Sequence, residues 1–406
     1  MKCVLSLFCC FIVAAGATDH YVCADSTGSA TGTDWTNAWP ALQAINWASI
    51  SPGDTIYVAG GRYDGQFTIR KDGVKGAPIT IQRVRATDKA ATAAPGWKAI
   101  YDSQVVQYPP NKGDAIYWPG KVGNWFKISG RVSQGWHILR AGDHDAGNGV
   151  EIDQAAVSNV TLEYIYVEKP ERSVQSNDMR GFDLTPTTGT MANIVMRHCE
   201  AKGGSAAMYL TLAENALIEY CSFHDQDSLN VSQWHTNVVY CGRMSNSTFR
   251  YNKFYNITVE GLYLPDPGNS NVAIYGNLFY QGSIGRQSGA RALQFGKIGN
   301  TGIRIYNNTF VGLPTGIQLA NGSFSNCFFQ NNIVYQMSLN LGLGWTSDHN
   351  LIAAWGDPFA NSASFDYHLK SQHPGRPLSA PYNNDYDGKL RTTWSVGAYE
   401  FQAPKR

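Results

Sequence analysis

The chain has 406 residues, Lys+Arg 32 against Asp+Glu 31, 16% charged residues, 41 glycines and 12% aromatics. So many aromatics at so low a charge exclude a disordered chain, and few Lys and Glu beside abundant Gly, Asn, Tyr and Thr argue against a helical bundle. A net charge of +1 supplies no basic field for nucleic acid or an anionic membrane.

Residues 1–17 read as a signal peptide. Lys2 gives the positive start, Val4 to Val13 is apolar, and Ala15, Gly16 and Ala17 offer small residues for cleavage. The apolar run is too short to span a bilayer. The expectation is a secreted, monomeric chain without a membrane anchor. Cys23, Cys199, Cys221, Cys241 and Cys327 then remain, and an odd number leaves a thiol unpaired. No Cys-x-x-Cys pair suggests a zinc site.

Ala41 to Ser49 reads as a short N-terminal capping helix. Residues 84–124 lack any repeat. Further along, seven nine-residue segments align, starting at Asn159, Asn193, Asn215, Asn246, Asn271, Gly302 and Asn326. Their fourth position is apolar throughout. The seventh is Asn252, Asn277, Asn308 and Asn332 in four consecutive segments. Asparagines stacked at one bend can bond side chain to side chain along a pile of coils. A short alternating strand precedes most segments, as in Val150–Ile152, Phe182–Leu184, Leu262–Leu264 and Leu293–Phe295. Glu151, Asp183, Tyr209, Tyr263, Gln294 and Gln318 then point outward in one column. The strand between His235 and Cys241 fits with its inward set starting at either Asn237 or Val238.

This pattern predicts an all-β, right-handed parallel β-helix, a single-stranded solenoid. Residues 18–406 form one domain. Residues 18–124 give the cap and early coils, 125–355 the central coils, and 356–406, rich in Pro and Asp, a closing segment.

Three stretches carry a likeness. They are Tyr21-Val22 with Trp35 to Trp39 and Gly53 to Tyr63; the central repeats; and Asp357 to Phe359, Phe365 to Leu369 and Val396 to Phe401. On these the chain resembles the secreted right-handed parallel β-helix proteins of the pectate-lyase-like superfamily. The resemblance implies a carbohydrate-active enzyme, foremost a polysaccharide lyase that cleaves a uronate polysaccharide such as alginate or pectate by β-elimination. Ala290 to Lys297 is loosely similar to coils of the alginate lyase and chondroitinase B group. That group's paired carboxylates for calcium are not cleanly present, so a Ca2+ role stays open and no cofactor is assured.

β-Elimination needs a neutralised carboxylate, a base and an acid. The expected catalytic residues are Tyr209, His235, Tyr263 and Lys297. The expected binders of the acidic polysaccharide are Arg180, Asp183, Lys202, Arg243, Arg291 and Gln294. Each also has a plain reading: outward tyrosines cover a sheet and arginines are solvated. A hydrolase or a C5 epimerase on the same scaffold is the alternative. A hydrolase needs two carboxylates, with Asp183, Asp225, Asp227, Glu260 and Asp266 as candidates. A non-catalytic β-helix adhesin is the third reading. Cys199 and Cys221 share a column, and whether they are bonded is open.

Overall fold

The computed structural model describes residues 16–110, 112–140, 147–169, 179–226, 237–282, 289–296, 298–320 and 322–403. The signal-peptide expectation falls almost wholly on residues outside this set, and so do His235, Lys297 and Asp227.

The first position of each repeat is Asn for a backbone reason. Asn159, Asn193, Asn215, Asn246, Asn271 and Asn326 all have φ between 48° and 60°, and Gly302 has 67°. Asparagine and glycine tolerate this left-handed conformation better than other residues. The bend starts a strand in a 12-stranded sheet, here sheet A. A second bend carries the seventh-position asparagines into an 11-stranded sheet B. The chain then enters sheet C, also of 11 strands, before the next coil begins. Every strand pair in the three sheets is parallel, as in Leu162 opposite Met196 and Ile274 opposite Ile305.

The asparagine stack forms as the spacing implies. Asn252 donates to Asn277 at 3.0 Å, Asn277 to Asn308 at 2.9 Å, and Asn308 to Asn332 at 3.1 Å. Asn350 extends it by one coil at 3.1 Å. Inside the coils lies one continuous apolar core from Val22 to Val334, including a stack of Phe223, Phe254, Phe279 and Phe310. Cys199 and Cys221 are buried and free.

The capping helix is smaller than expected. Only Leu42–Ala44 forms a helical turn, of the 3-10 type. Asn46 ends it, because its side chain accepts from the Ala48 amide and its carbonyl from the Ser49 hydroxyl. Leu42 and Ile45 still bury into the first coils, and Trp47 stacks on Phe67.

Residues beyond 356 run back along the flank of the solenoid. Phe359, Tyr367, Leu369 and Tyr399 pack with Tyr280 and Tyr335 on the outer face of sheet B. Tyr382 and Tyr386 pack on Tyr251, Tyr275 and Tyr306 of sheet A. This strap covers the outer faces of A and B over the later coils.

Candidate active site on sheet C

Within sheet C, successive coils stay in register. Glu151 lies opposite Tyr117 and Asp183, Asp183 opposite Tyr209, and Tyr209 opposite Tyr240. Tyr240 faces Tyr263, which faces Gln294 and then Gln318. Strict alternation sends the partners of this column, such as Phe182, Leu210 and Leu262, into the core. The outer column is therefore one continuous ledge of acids, tyrosines and amides.

Three residues before each ledge position, a second column leans over the face. Asn148, Arg180, Glu260 and Arg291 belong to it. Arg180 lies 3.9 Å above the Tyr209 ring and donates to Asp183 at 2.7 Å. Arg291 donates to Glu260 at 2.9 Å. Asn148 donates to Glu151 at 2.9 Å and to Asp183 at 3.3 Å. One amide nitrogen thus spans two carboxyl groups, whose bonded oxygens are no more than about 6 Å apart.

The two acids differ in charge state. Burial pushes the Glu151 carboxyl up to about 8, helped by a hydrogen bond to Asp114 and by the Asp114 and Asp183 charges, against the Asn148 bond. Asp183 is ion-paired with Arg180 and accepts the Thr185 hydroxyl at 2.7 Å. A protonated Glu151 therefore stands beside an ionised Asp183 near neutral pH. Tyr240 and Tyr263 are held neutral. Burial pushes Tyr240 up to about 12, and it raises Tyr263 with a further push from Glu260.

Of the residues expected from sequence, Arg180, Asp183, Tyr209, Tyr263, Arg291 and Gln294 share this face. Two do not join them. Lys202 lies on sheet B, where it pairs with Glu168 at 3.0 Å, because its strand follows the second bend rather than the third. Arg243 stays in the sheet C strand Val239–Ser245, three positions beyond Tyr240, but a left-handed bend at φ 55° breaks the alternation there and leaves it exposed past the ledge. His224 ends a sheet B strand and is buried between Asp225, one of the candidate carboxylates, and Glu200. Sequence reasoning missed Glu151 as a site residue, although it stood in the same column as Asp183. It missed Tyr240 because the register of that coil was open; Val239 and Cys241 take the inward positions opposite Met208 and Leu210. Among the described residues no group of three His, Cys, Asp or Glu side chains is arranged to hold a metal ion.

A family model described as "Right handed beta helix region" matches residues 137–334. The chain folds as a right-handed parallel β-helix. Among solved structures this β-helix is similar to XylC in complex with xylose, at 10% identity and TM-score 0.52, covering 95% of this chain and 98% of that one. It is also similar to pectate lyase Pel9A, at 15% identity and TM-score 0.50, covering 96% and 97%. No curated protein matches this β-helix in sequence.

Proposed function

We propose that this β-helix cleaves a neutral glycan by hydrolysis on the outer face of sheet C, with Glu151 as acid and Asp183 as nucleophile. What carries it is the in-register pair of carboxyl groups, one raised by burial and facing acids, the other paired with Arg180. Their bonded oxygens lie within about 6 Å, close to the spacing of retaining glycosidases and short of the roughly 6.5–9.5 Å of inverting ones.

The steps balance within the pair. Glu151 gives its proton to the leaving glycosidic oxygen as that C–O bond breaks. An Asp183 oxygen bonds to the anomeric carbon. That bond discharges Asp183, so one charge that raised the Glu151 carboxyl disappears and Glu151 becomes a stronger acid, left as carboxylate. It then takes a proton from water, which displaces Asp183 and closes the cycle. Arg180 holds Asp183 in place, and Tyr209, Tyr240 and Tyr263 supply rings for sugar faces.

The charges favour a neutral substrate over a uronate. Arg180 and Arg291, the cations expected to neutralise a uronate carboxylate, are each engaged by a carboxylate of the chain. One solved relative carries xylose, a neutral sugar. The uronate lyase remains the second reading, favoured by the three tyrosines on successive coils and by Arg180 over Tyr209. A panel of xylan, β-glucan, galactan, alginate and pectate separates the two. New reducing ends without an ultraviolet-absorbing product support hydrolysis. An unsaturated, absorbing product from alginate or pectate supports the lyase and refutes the hydrolase.

A further inference from the structure

The column that leans over sheet C changes character beyond Arg180. Ala206 lies opposite Arg180 and Arg291 opposite Glu260, and Asn237, three positions before Tyr240, holds the place between Ala206 and Glu260. Asn148, Arg180 and Arg291 each spend their side-chain donors on an acid of the same face. Asn237 does not. It is 1% exposed, yet its side-chain oxygen has no hydrogen-bond partner among the described residues. A buried polar atom without a partner is rare in native proteins and calls for an explanation.

A second such atom lies nearby. The side-chain oxygen of Gln294 is buried and also lacks a partner among the described residues. Its neighbours further along the ledge do not share this. Gln318 donates to the Thr315 carbonyl and accepts from Asn340. The two orphan oxygens flank Tyr240 and Tyr263. Tyr240 stacks on Tyr209 at 4.7 Å, whereas Tyr263 stands edge-on to it at 85°. The Glu260–Arg291 ion pair between them is matched in charge.

We infer that Asn237, Tyr240, Tyr263 and Gln294 form a sugar subsite that reads hydroxyl groups of a neutral glycan. The inference rests on the proposed glycan cleavage and extends it along the groove. A hydroxyl is the simplest donor to an amide oxygen, and it leaves the neutral pocket neutral. The subsite lies two coils from Asp183 at Tyr240 and three at Tyr263, about 10 to 15 Å at roughly 4.8 Å per coil. It therefore holds a sugar remote from the bond that breaks. Binding there adds affinity only for chains long enough to reach it.

The test is binding to the Glu151→Gln protein, read by titration calorimetry with xylo-, cello-, manno- and galacto-oligosaccharides from disaccharide to hexasaccharide. For at least one series, affinity steps up at the length that reaches Tyr240. Asn237→Leu and Gln294→Leu each weaken the longer members by about fivefold and leave the disaccharide unchanged. No step in any series, or a step that survives both substitutions, overturns the inference. Asn237→Leu melts no lower than its parent, since it exchanges an unpartnered buried oxygen for an apolar group. Should it melt lower and bind nothing, Gln294→Leu on the half-exposed ledge decides alone. A step in affinity together with full cleavage by Glu151→Gln refutes the proposed chemistry while keeping the subsite.

Discussion

Glu151 stands directly opposite Asp183 on the neighbouring coil of sheet C, at the place where an acidic stretch of the ledge meets its tyrosines. Their contrast arises from surroundings. Asp183 has an arginine at 2.7 Å, while Glu151 faces Asp114 and Asp183 and is partly buried.

Removing either acid should end cleavage. Glu151→Gln and Asp183→Asn are each expected to lower turnover by about 10²-fold or more while the protein stays folded, with a cooperative melting transition. Rates on the substrate found in the panel check this. Unchanged turnover in Glu151→Gln would remove that residue from the chemistry.

Activity should also fall on the alkaline side. Glu151 must carry a proton to act as acid, so turnover is expected to drop as pH rises through about 8. Stability follows the same group. The folded state holds a proton that the unfolded state releases near 4.5, so stability declines from there up to about 8. Glu151→Gln should flatten that decline in denaturant titrations.

His224 tests the sign at a different place. Burial disfavours its charge, but bonds to Asp225 at 2.8 Å and Glu200 at 3.1 Å outweigh this and raise its titration above 6.5. The stabilisation is full below 6.5 and is lost as pH rises through the higher folded value. The stability gap between the parent and His224→Gln should therefore narrow as pH rises from 6 to 9. A gap that widens would contradict the charge assignment.

The asparagine stack should be the mechanical spine. Asn308 donates to the Ile274 carbonyl and to Asn332, and accepts from Asn277. Asn308→Ala leaves these buried partners unmet and is expected to cost about 2–4 kcal/mol. Urea unfolding measures it. A loss below about 0.5 kcal/mol would show that the stack is dispensable.

The strap can be loosened from within. Arg391 is buried against Glu400 and donates to the Ser395, Gly397 and Ala398 carbonyls. Arg391→Ala should leave these three buried carbonyls unmet and remove the charge facing Glu400, and destabilise by about 3–5 kcal/mol. Protease nicking confined to residues 356–403 would locate the damage in the strap.

The solenoid was legible because its bends repeat. A left-handed position selects Asn or Gly in every coil, and a buried bend selects stacking amides, so the columns at Asn159 and Asn252 are visible as spacing alone. Site residues were legible only where alternation was strict. Asp183, Tyr209, Tyr263 and Gln294 follow from it. Tyr240 was hidden because Asn237, Val238 and Val239 are all buried and blur the period. Lys202 was misplaced because composition does not tell sheet B from sheet C. Glu151 was seen as outward, but its protonation depends on Asp114, which precedes it by a whole coil. No local pattern carries that proximity.

The most direct test of the central claim is the titration of Glu151 in the intact protein, followed by carbon NMR of labelled glutamate carboxyls, with Glu151→Gln to assign the signal. The signal is expected to titrate near 8 and to shift down when Asp183→Asn removes the neighbouring charge. Titration near 4.5, unmoved by Asp183→Asn, would contradict the assignment of Glu151 as the acid beside an ionised Asp183.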